Sequence, residues 1–239
     1  MHAHDLATAK YELQVLRVFC DAAGRFGNPL GVFATEPVPP AMVRQALAHH
    51  LAFSETVFVN DPATGELEIF TPNTQLPFAG HPLVGTAWFL LQRDPSLSVL
   101  RPPAGDVHIT SDGQLTWITA KPEYSPPWQL RELSGPAAID ALLAPPENLG
   151  CVGAWAWLDR HQGLVRARVF ARDLGIEEDP ATGSAAISLC AALGRELRIM
   201  QGPTQAQSEI HVRPLADGWV RLGGRVLPHG AARAVAAGR

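Results

Sequence analysis

Apolar and polar residues alternate in several short stretches of the first half of the chain, as they do in strands, where successive side chains point to opposite faces. The pattern predicts strands at 13–19, 30–34, 55–60, 66–70, 107–110 and 115–119. The stretches 39–51 and 83–91 predict helices, the first of them opened by two prolines. The turn-forming residues at 61–65 join two of the strands into a hairpin.

The second half of the chain shows a similar succession of patterns. Strands are predicted at 153–158, 165–170, 210–214 and 219–222, a helix at 186–193 and a short helix near 137–143. The segment 122–146 is rich in proline and poor in pattern, so we place a boundary there. This divides the chain into an N-terminal half, 1–121, and a C-terminal half, 122–239. The last residues, 231–239, are expected to form a loose tail.

A short segment of small residues occurs in both halves, as PFAGHP at 77–82 and PATGSA at 180–185. Each copy follows a predicted strand and precedes a predicted helix. The repeat predicts an α+β fold of two pseudo-symmetric halves, each a twisted antiparallel sheet or barrel around a central helix. Gly80 and Gly183 would then lie at helix starts, where free N–H groups and the helix dipole favour an anion. Two such helix starts facing one cleft would bind a small carboxylic acid.

Composition and charge narrow the class of protein. Of 239 residues, 46% are hydrophobic and 18% are charged, which is typical of a globular protein with a buried core. The net charge of −4 argues against a nucleic-acid partner, since phosphate binding needs a basic surface. No apolar stretch approaches the roughly 20 residues of a membrane span. The first residues lack the apolar core of a signal peptide, so we expect no membrane partner and a cytoplasmic location.

The sequence contains no pattern that predicts a cofactor or a metal. Cys20, Cys151 and Cys190 are scattered and indicate neither a disulfide framework nor a zinc site. Cys190 is expected to be a buried structural thiol. The nine histidines show no ligand spacing, and the motifs of phosphate-loop, zincin and α/β-hydrolase enzymes do not occur.

Glu55 opens an otherwise apolar predicted strand and lies near Phe53 and Phe58 in the sequence. If these neighbours enclose it, partial loss of water would raise its pKa and suit it to proton transfer near neutral pH. The alternative is an edge carboxylate in water. The matching segment of the second half, 153–157, carries no acid, so only one half would supply such a group.

Three further polar residues lie beside the repeated segments. Asp179 precedes the second segment and is either a simple helix-terminus partner or an acceptor for a substrate ammonium or hydroxyl, or a second proton-handling group. His81 and Ser184 occupy matched positions after the two glycines. A histidine here is either structural or a donor to a carboxylate, and the matching serine favours a paired polar role.

Four sequence blocks resemble the PhzF-like phenazine-biosynthesis protein family. They are FGNPLGVF at 26–33, SETVFV at 54–59, FTPNTQLPFAGHPLVGTA at 70–87 and EDPATGSAA at 178–186. The resemblance implies a diaminopimelate-epimerase-like fold, a homodimer, and cofactor-free isomerisation or epimerisation of a small acid in the cleft between the halves. It implies that Glu55 shuttles the proton. It also assigns family positions to Gly80 and His81, and to Asp179, Gly183 and Ser184.

The chain departs from that family's pattern in three places. Gln75 stands where a glutamate is common, and QGPTQAQS at 201–208 lacks the family's acid and arginine. The stretch from about 128 to 151 lacks strands that open the second half in the family, so we expect a shortened C-terminal half.

The favoured function is a cofactor-independent isomerase of a small carboxylic acid. In this hypothesis the carboxylate binds the N–H groups of the two helix starts and Glu55 moves a proton, with Asp179 and His81 orienting the substrate. The alternatives are a racemase, epimerase or dehydratase of a hydroxy- or amino acid, and a ligand-binding protein that kept the fold without the chemistry.

Overall fold

A computed structural model describes residues 10–236 of the chain. Four α-helices lie in this range: α1 (Ala41–Leu51), α2 (Gly80–Leu91), α3 (Pro136–Asp140) and α4 (Gly183–Leu193). The strands of the first half are β1 (Lys10–Cys20), β2 (Asn28–Phe33), β3 (Glu55–Asp61), β4 (Glu66–Phe70), β5 (Gln75–Leu76), β6 (Val99–Leu100), β7 (Val107–Ser111) and β8 (Thr116–Ala120). Those of the second half are β9 (Gln129–Glu132), β10 (Cys151–Asp159), β11 (Leu164–Ala171), β12 (Ile176–Asp179), β13 (Leu197–Gln201), β14 (Ser208–Pro214), β15 (Val220–Pro228) and β16 (Arg233–Ala236).

The first half forms a closed barrel around α2. Its wall runs through β4, β3, β2, β1, β15, β8, β7 and β6. A parallel bridge between Glu66 and Arg101 closes the circuit, with the Arg101 N–H donating to the Gly65 carbonyl at 2.7 Å. Most side chains of α2 are buried inside this wall, because the helix is apolar on nearly every side.

The second half forms a similar wall around α4, but the wall is open. It runs through β9, β10, β11, β13, β14, β15 and β8. Strand β9 occupies the position in the second barrel that β2 occupies in the first. Strand β2 pairs with both β1 and β3, whereas within residues 10–236 β9 pairs with β10 alone. Within residues 10–236, the second barrel therefore lacks a counterpart of β1.

The two halves are joined through β15. Its residues 225–228 pair with β1, and its residues 220–224 pair with β8 and β14. One strand thus belongs to both walls, and the helices α2 and α4 meet on its inner side at Leu222. The division at 121/122 stays a prediction.

The α+β architecture is confirmed, with three corrections of detail. Both central helices begin one turn earlier than predicted, at Gly80 and Gly183. Parallel pairs occur in both walls, between β2 and β3, β9 and β10, and β11 and β13, so the sheet is mixed. Residues 233–236 of the expected loose tail form β16 against β1, while 237–239 lie outside the described residues.

Cys190 in α4 is buried, as expected, and burial raises the pKa of its thiol to about 12. Within residues 10–236, no helix has both the length and the apolar character needed to cross a membrane.

Candidate active site

The starts of α2 and α4 touch each other at two glycines. A Cβ atom on Gly80 would lie 2.8 Å from the Gly183 Cα and 2.7 Å from the Leu222 Cδ2, so a larger residue does not fit. Neither preceding residue, Ala79 or Thr182, caps its helix with a side chain. The first N–H groups of any helix lack an intrahelical acceptor, and here no capping side chain replaces it. Both helix dipoles also present their positive ends at this point.

A cleft of about 260 Å³ opens beside the two helix starts. Its polar lining includes Glu55, Asp179 and Ser184, and the remaining lining is mostly apolar or aromatic. A second hollow, enclosed by α4 and the strands β10 and β11, has a volume of about 10 Å³, room for one water molecule. It is lined by no ionisable side chain. Of these two hollows, the cleft beside the helix starts is the one lined by ionisable side chains.

Glu55 is the first residue of β3 and projects into this cleft with only 8% of its surface exposed. Its pKa is raised to about 8, mainly by burial and in addition by the nearby charge of Asp179, while the neighbouring Ser54 hydroxyl opposes the rise. The Oε2 atom has no hydrogen-bond partner among residues 10–236. Of the two environments that the sequence left open for Glu55, the structure contains the buried one.

Asp179 ends β12 and comes from the other half of the chain. Its Oδ1 accepts a hydrogen bond from Asn28 Nδ2 at 2.6 Å, and its Oδ2 accepts one from the Thr182 hydroxyl at 2.7 Å. Burial raises the pKa of Asp179 to about 6, although these two donors oppose the rise. The donors also fix the orientation of the carboxylate, which is therefore a rigid part of the cleft wall.

Glu55 and Asp179 form a pair whose protons are linked. Because the pKa of Glu55 lies near 8 and that of Asp179 near 6, the pair holds about one proton at neutral pH, shared between the two groups. Two buried carboxyl groups with separated pKa values can supply an acid and a base in one site.

His81, the second residue of α2, lies behind Glu55 and is 2% exposed. Its Nδ1 atom lies 3.2 Å from Glu55 Oε2. Burial lowers the pKa of His81 to about 3, so the ring is neutral in the physiological range and the contact is not a salt bridge. Because the ring is neutral, it adds no positive charge that would lower the pKa of Glu55.

Ser184, the second residue of α4, accepts a hydrogen bond from Trp128 Nε1 at 3.1 Å. An indole nitrogen can only donate, so the serine hydroxyl keeps its own proton free for another acceptor. All six residues predicted from the sequence thus meet at one place: Gly80 and Gly183 at its base, Glu55, Asp179 and Ser184 on its wall, and His81 behind Glu55.

A supporting network that the sequence reasoning missed holds Asp179. The Ser54 hydroxyl donates to Asn28 Oδ1 at 3.0 Å, and Asn28 in turn donates to Asp179. Gln201 Nε2 donates to the Asp179 carbonyl and to Thr182 Oγ1, both at 2.8 Å. Since Thr182 Oγ1 accepts from Gln201, its own proton points to Asp179. Three of these residues lie inside the sequence blocks that resemble the family, and the blocks could have indicated them: Asn28, Ser54 and Thr182. Trp128 lies in the segment 122–146, which has no pattern and gave no signal.

Within residues 10–236, no group of three or more His, Cys, Asp or Glu side chains is arranged to hold a metal ion.

Proteins of known name resemble this chain in fold or in sequence. A crystal structure of a phenazine biosynthesis PhzC/PhzF protein from Clostridium difficile superposes with a TM-score of 0.76 at 18% identity, covering 95% of this chain and 99% of that one. Trans-2,3-dihydro-3-hydroxyanthranilate isomerase of Pseudomonas aeruginosa is 29% identical over 218 residues, 74% of this chain and 77% of that enzyme.

The isomerase of the same name from Pseudomonas fluorescens is 48% identical over a shorter stretch of 65 residues, which covers 26% of this chain and 23% of that enzyme. The family model for phenazine biosynthesis-like proteins, PhzC-PhzF, matches residues 16–135. The chain belongs to this family.

Proposed function

We propose that the protein is a cofactor-independent isomerase of a small carboxylic acid and that Glu55 carries the migrating proton. The observation that supports this most strongly is the buried pair of carboxyl groups, Glu55 and Asp179, beside two converging helix starts. The named function of the relatives, which are isomerases, agrees with it.

In this proposal the substrate carboxylate binds at the starts of α2 and α4. The described lining of the cleft contains no lysine or arginine, so the attraction for the anion comes from the backbone N–H groups and the two helix dipoles. The same donors stabilise the negative charge that develops when the adjacent C–H bond loses its proton.

Glu55 then moves the proton. Its ionised form takes a proton from one carbon and, as the carboxylic acid, returns it to another, so the group is unchanged after each turnover. Its Oε2, which lies 3.2 Å from His81 Nδ1 but forms no hydrogen bond of good geometry among residues 10–236, is the atom proposed to do so. Asp179, held by Asn28 and Thr182, orients a substrate amino or hydroxyl group, and His81 supports the Glu55 carboxyl group as a neutral ring.

Solvent exchange tests the proposal directly. The protein is incubated in D2O with small carboxylic acids, beginning with trans-2,3-dihydro-3-hydroxyanthranilate, the compound named for the relatives, and deuterium in each carbon position is followed by NMR. Glu55→Gln should lower the exchange rate by about 10²–10⁴-fold, the usual contribution of a positioned acid–base group. Glu66→Gln, which changes the exposed first residue of β4, is the matched control and should exchange normally.

The position of the label separates the proposal from its alternatives. Deuterium at a new carbon indicates isomerisation, whereas exchange at one carbon with inversion indicates a racemase or epimerase. Loss of water from the acid indicates a dehydratase. Binding of acids without any exchange would contradict an enzymatic function. The homodimer and the cytoplasmic location stay predictions, and sedimentation analysis of the purified protein tests the first.

A further inference from the structure

The open side of the second barrel is crossed by a short irregular segment. Strand β8 ends at Ala120 and β9 begins at Gln129, and four of the residues 124–128 between them line the cleft: Tyr124, Ser125, Pro126 and Trp128. We call residues 124–128 the strap. Pro122, Pro126 and Pro127 lie in or beside it and lack the N–H group that a strand would need for pairing. The strap therefore connects β8 to β9 without forming a strand.

Aromatic contacts hold the strap at its first residue. The ring of Tyr124 lies 5.7 Å from that of Phe78 at an angle of 56°, and 6.3 Å from that of Trp219 at 84°. Phe78 belongs to the segment that enters α2, and Trp219 directly precedes β15. Such tilted and edge-to-face pairs are favourable, so the strap is fixed to both halves of the molecule.

Two polar atoms of the strap are directed at the site. Trp128 Nε1 donates to the Ser184 hydroxyl at 3.1 Å, which orients that hydroxyl at the start of α4. Ser125 also lines the cleft, and its Oγ is buried with no hydrogen-bond partner among the described residues. A buried hydroxyl without a partner is unfavourable unless a ligand or a water molecule forms a hydrogen bond with it.

The rest of the cleft limits which ligands fit. Its described lining carries two ionisable carboxyl groups, Glu55 and Asp179, and otherwise apolar or aromatic side chains with a few hydroxyl groups. One carboxylate is accommodated by the helix starts. A second carboxylate on the same ligand would face either an acid or an apolar wall and would lose its water without a partner.

We propose that the strap is the specificity-determining wall of the cleft, with Trp128 as the positioning residue for Ser184 and Ser125 as a contact for a polar substituent of the ligand. The strap favours acids with one carboxylate over acids with two, and favours a polar substituent within reach of Ser125. The inference rests on the proposed function for the location of the ligand but not on turnover.

Binding of model acids by the full chain, measured by isothermal titration calorimetry, tests this. The probes are benzoate, 2-hydroxybenzoate and the dicarboxylate phthalate. The wild-type protein should bind benzoate at least about tenfold more tightly than phthalate, because phthalate leaves one charge unpaired. Trp128→Phe keeps an aromatic ring but removes the donor, and should weaken benzoate binding by about 3–10-fold.

A double-mutant cycle separates positioning from a structural role. If Trp128 acts through Ser184, Trp128→Phe should have no further effect in the Ser184→Ala background. Trp157→Phe, the same change in half-buried β10 and away from the cleft, is the control and should bind benzoate like the wild type. The wild-type protein should bind 2-hydroxybenzoate more tightly than benzoate, and Ser125→Ala should abolish that preference.

The assignment is overturned if Trp128→Phe binds like Trp157→Phe, if its loss persists undiminished in Ser184→Ala, or if phthalate binds as tightly as benzoate. Because the readout is binding, these outcomes differ from failure of the isomerase proposal. If no acid exchanges deuterium but the cycle behaves as expected, the isomerase proposal fails and the strap assignment stands.

Discussion

At the scale of single residues, the site combines two carboxyl groups that are individually unfavourable to bury. Glu55 and Asp179 both have raised pKa values because burial penalises their charged forms. Asp179 is compensated by donors from Asn28 and Thr182, whereas Glu55 Oε2 has no hydrogen-bond partner within residues 10–236. The more poorly compensated group is the one for which we propose proton transfer. Burying Glu55 in this way should lower the stability of the fold while making its carboxyl group more reactive.

That cost predicts a pH-dependent gain in stability for Glu55→Gln. A carboxyl group with a raised pKa stabilises the fold at low pH, and this stability is lost as pH rises from about 4.5 towards 8, where the folded protein must ionise Glu55. The glutamine cannot ionise. The variant should therefore resemble the wild type at pH 5 and unfold at higher denaturant than the wild type at pH 9.

Urea unfolding at both pH values measures the effect, which should be about 1–3 kcal/mol at pH 9, the usual range for an unpaired buried polar group. Glu66→Gln on the surface of β4 should show no such difference between the two pH values. Equal stability of Glu55→Gln and wild type at pH 9 would contradict a buried, poorly compensated carboxyl group.

The sequence could predict the identity of these residues but not their environment. Glu55 and the small-residue segments were recognisable because they lie in compact blocks. The raised pKa of Glu55 depends partly on Asp179, and that of Asp179 is moderated by Asn28, which lies in the first half of the chain. Contacts between residues so far apart in the chain are decided by the fold, and no local pattern contains them.

At the scale of secondary-structure elements, the contact between α2 and α4 requires glycine at both helix starts. The sequence placed Gly80 and Gly183 there but began the helices one turn later, because glycine and the proline at position 82 are weak helix formers. Packing on Leu222 and on each other outweighs that weakness. Short strands such as β5 and β12 were not predicted, since strands of two to four residues depend on their neighbours more than on their own sequence.

Gly80→Ala tests this contact. The added methyl group would lie 2.8 Å from the Gly183 Cα, a backbone atom that cannot move aside alone, so the helix starts must separate. We expect a loss of about 1–3 kcal/mol in the free energy of unfolding, the usual cost of overpacking, together with loss of acid binding. Thermal unfolding and calorimetric titration with benzoate measure the two effects.

Gly135→Ala is the matched control for this change. A Cβ at Gly135 meets no heavy atom within 4 Å, and the backbone there is extended, with φ of 171°. The control should unfold and bind nearly as the wild type does. If Gly80→Ala kept both properties as well, the two helix starts would be less closely packed than described.

At the scale of the whole molecule, one closed and one open barrel share β15. The sequence predicted the duplication from the repeated segments and the shortening from the resemblance. It did not predict that the strap would occupy the open side and contribute Trp128 to the cleft, because the segment has no periodicity to place it. Since β15 pairs with β1, β8 and β14, neither wall is complete without the other.

The shared strand predicts that the two halves unfold as one cooperative unit. Leu16 in β1 is fully buried and lies opposite Pro228 of β15, so Leu16→Ala should destabilise the first wall by about 2–5 kcal/mol. If unfolding is cooperative, the slowest-exchanging amides of β10 and β11 in the second half should lose protection by the same free energy as those of β2 and β3. Hydrogen exchange with mass spectrometry measures both sets.

Leu143→Ala, at a fully exposed side chain, is the control and should leave both unchanged. Unaltered protection of β10 and β11 in Leu16→Ala would show instead that the second half folds independently, and that β15 joins two units without coupling them.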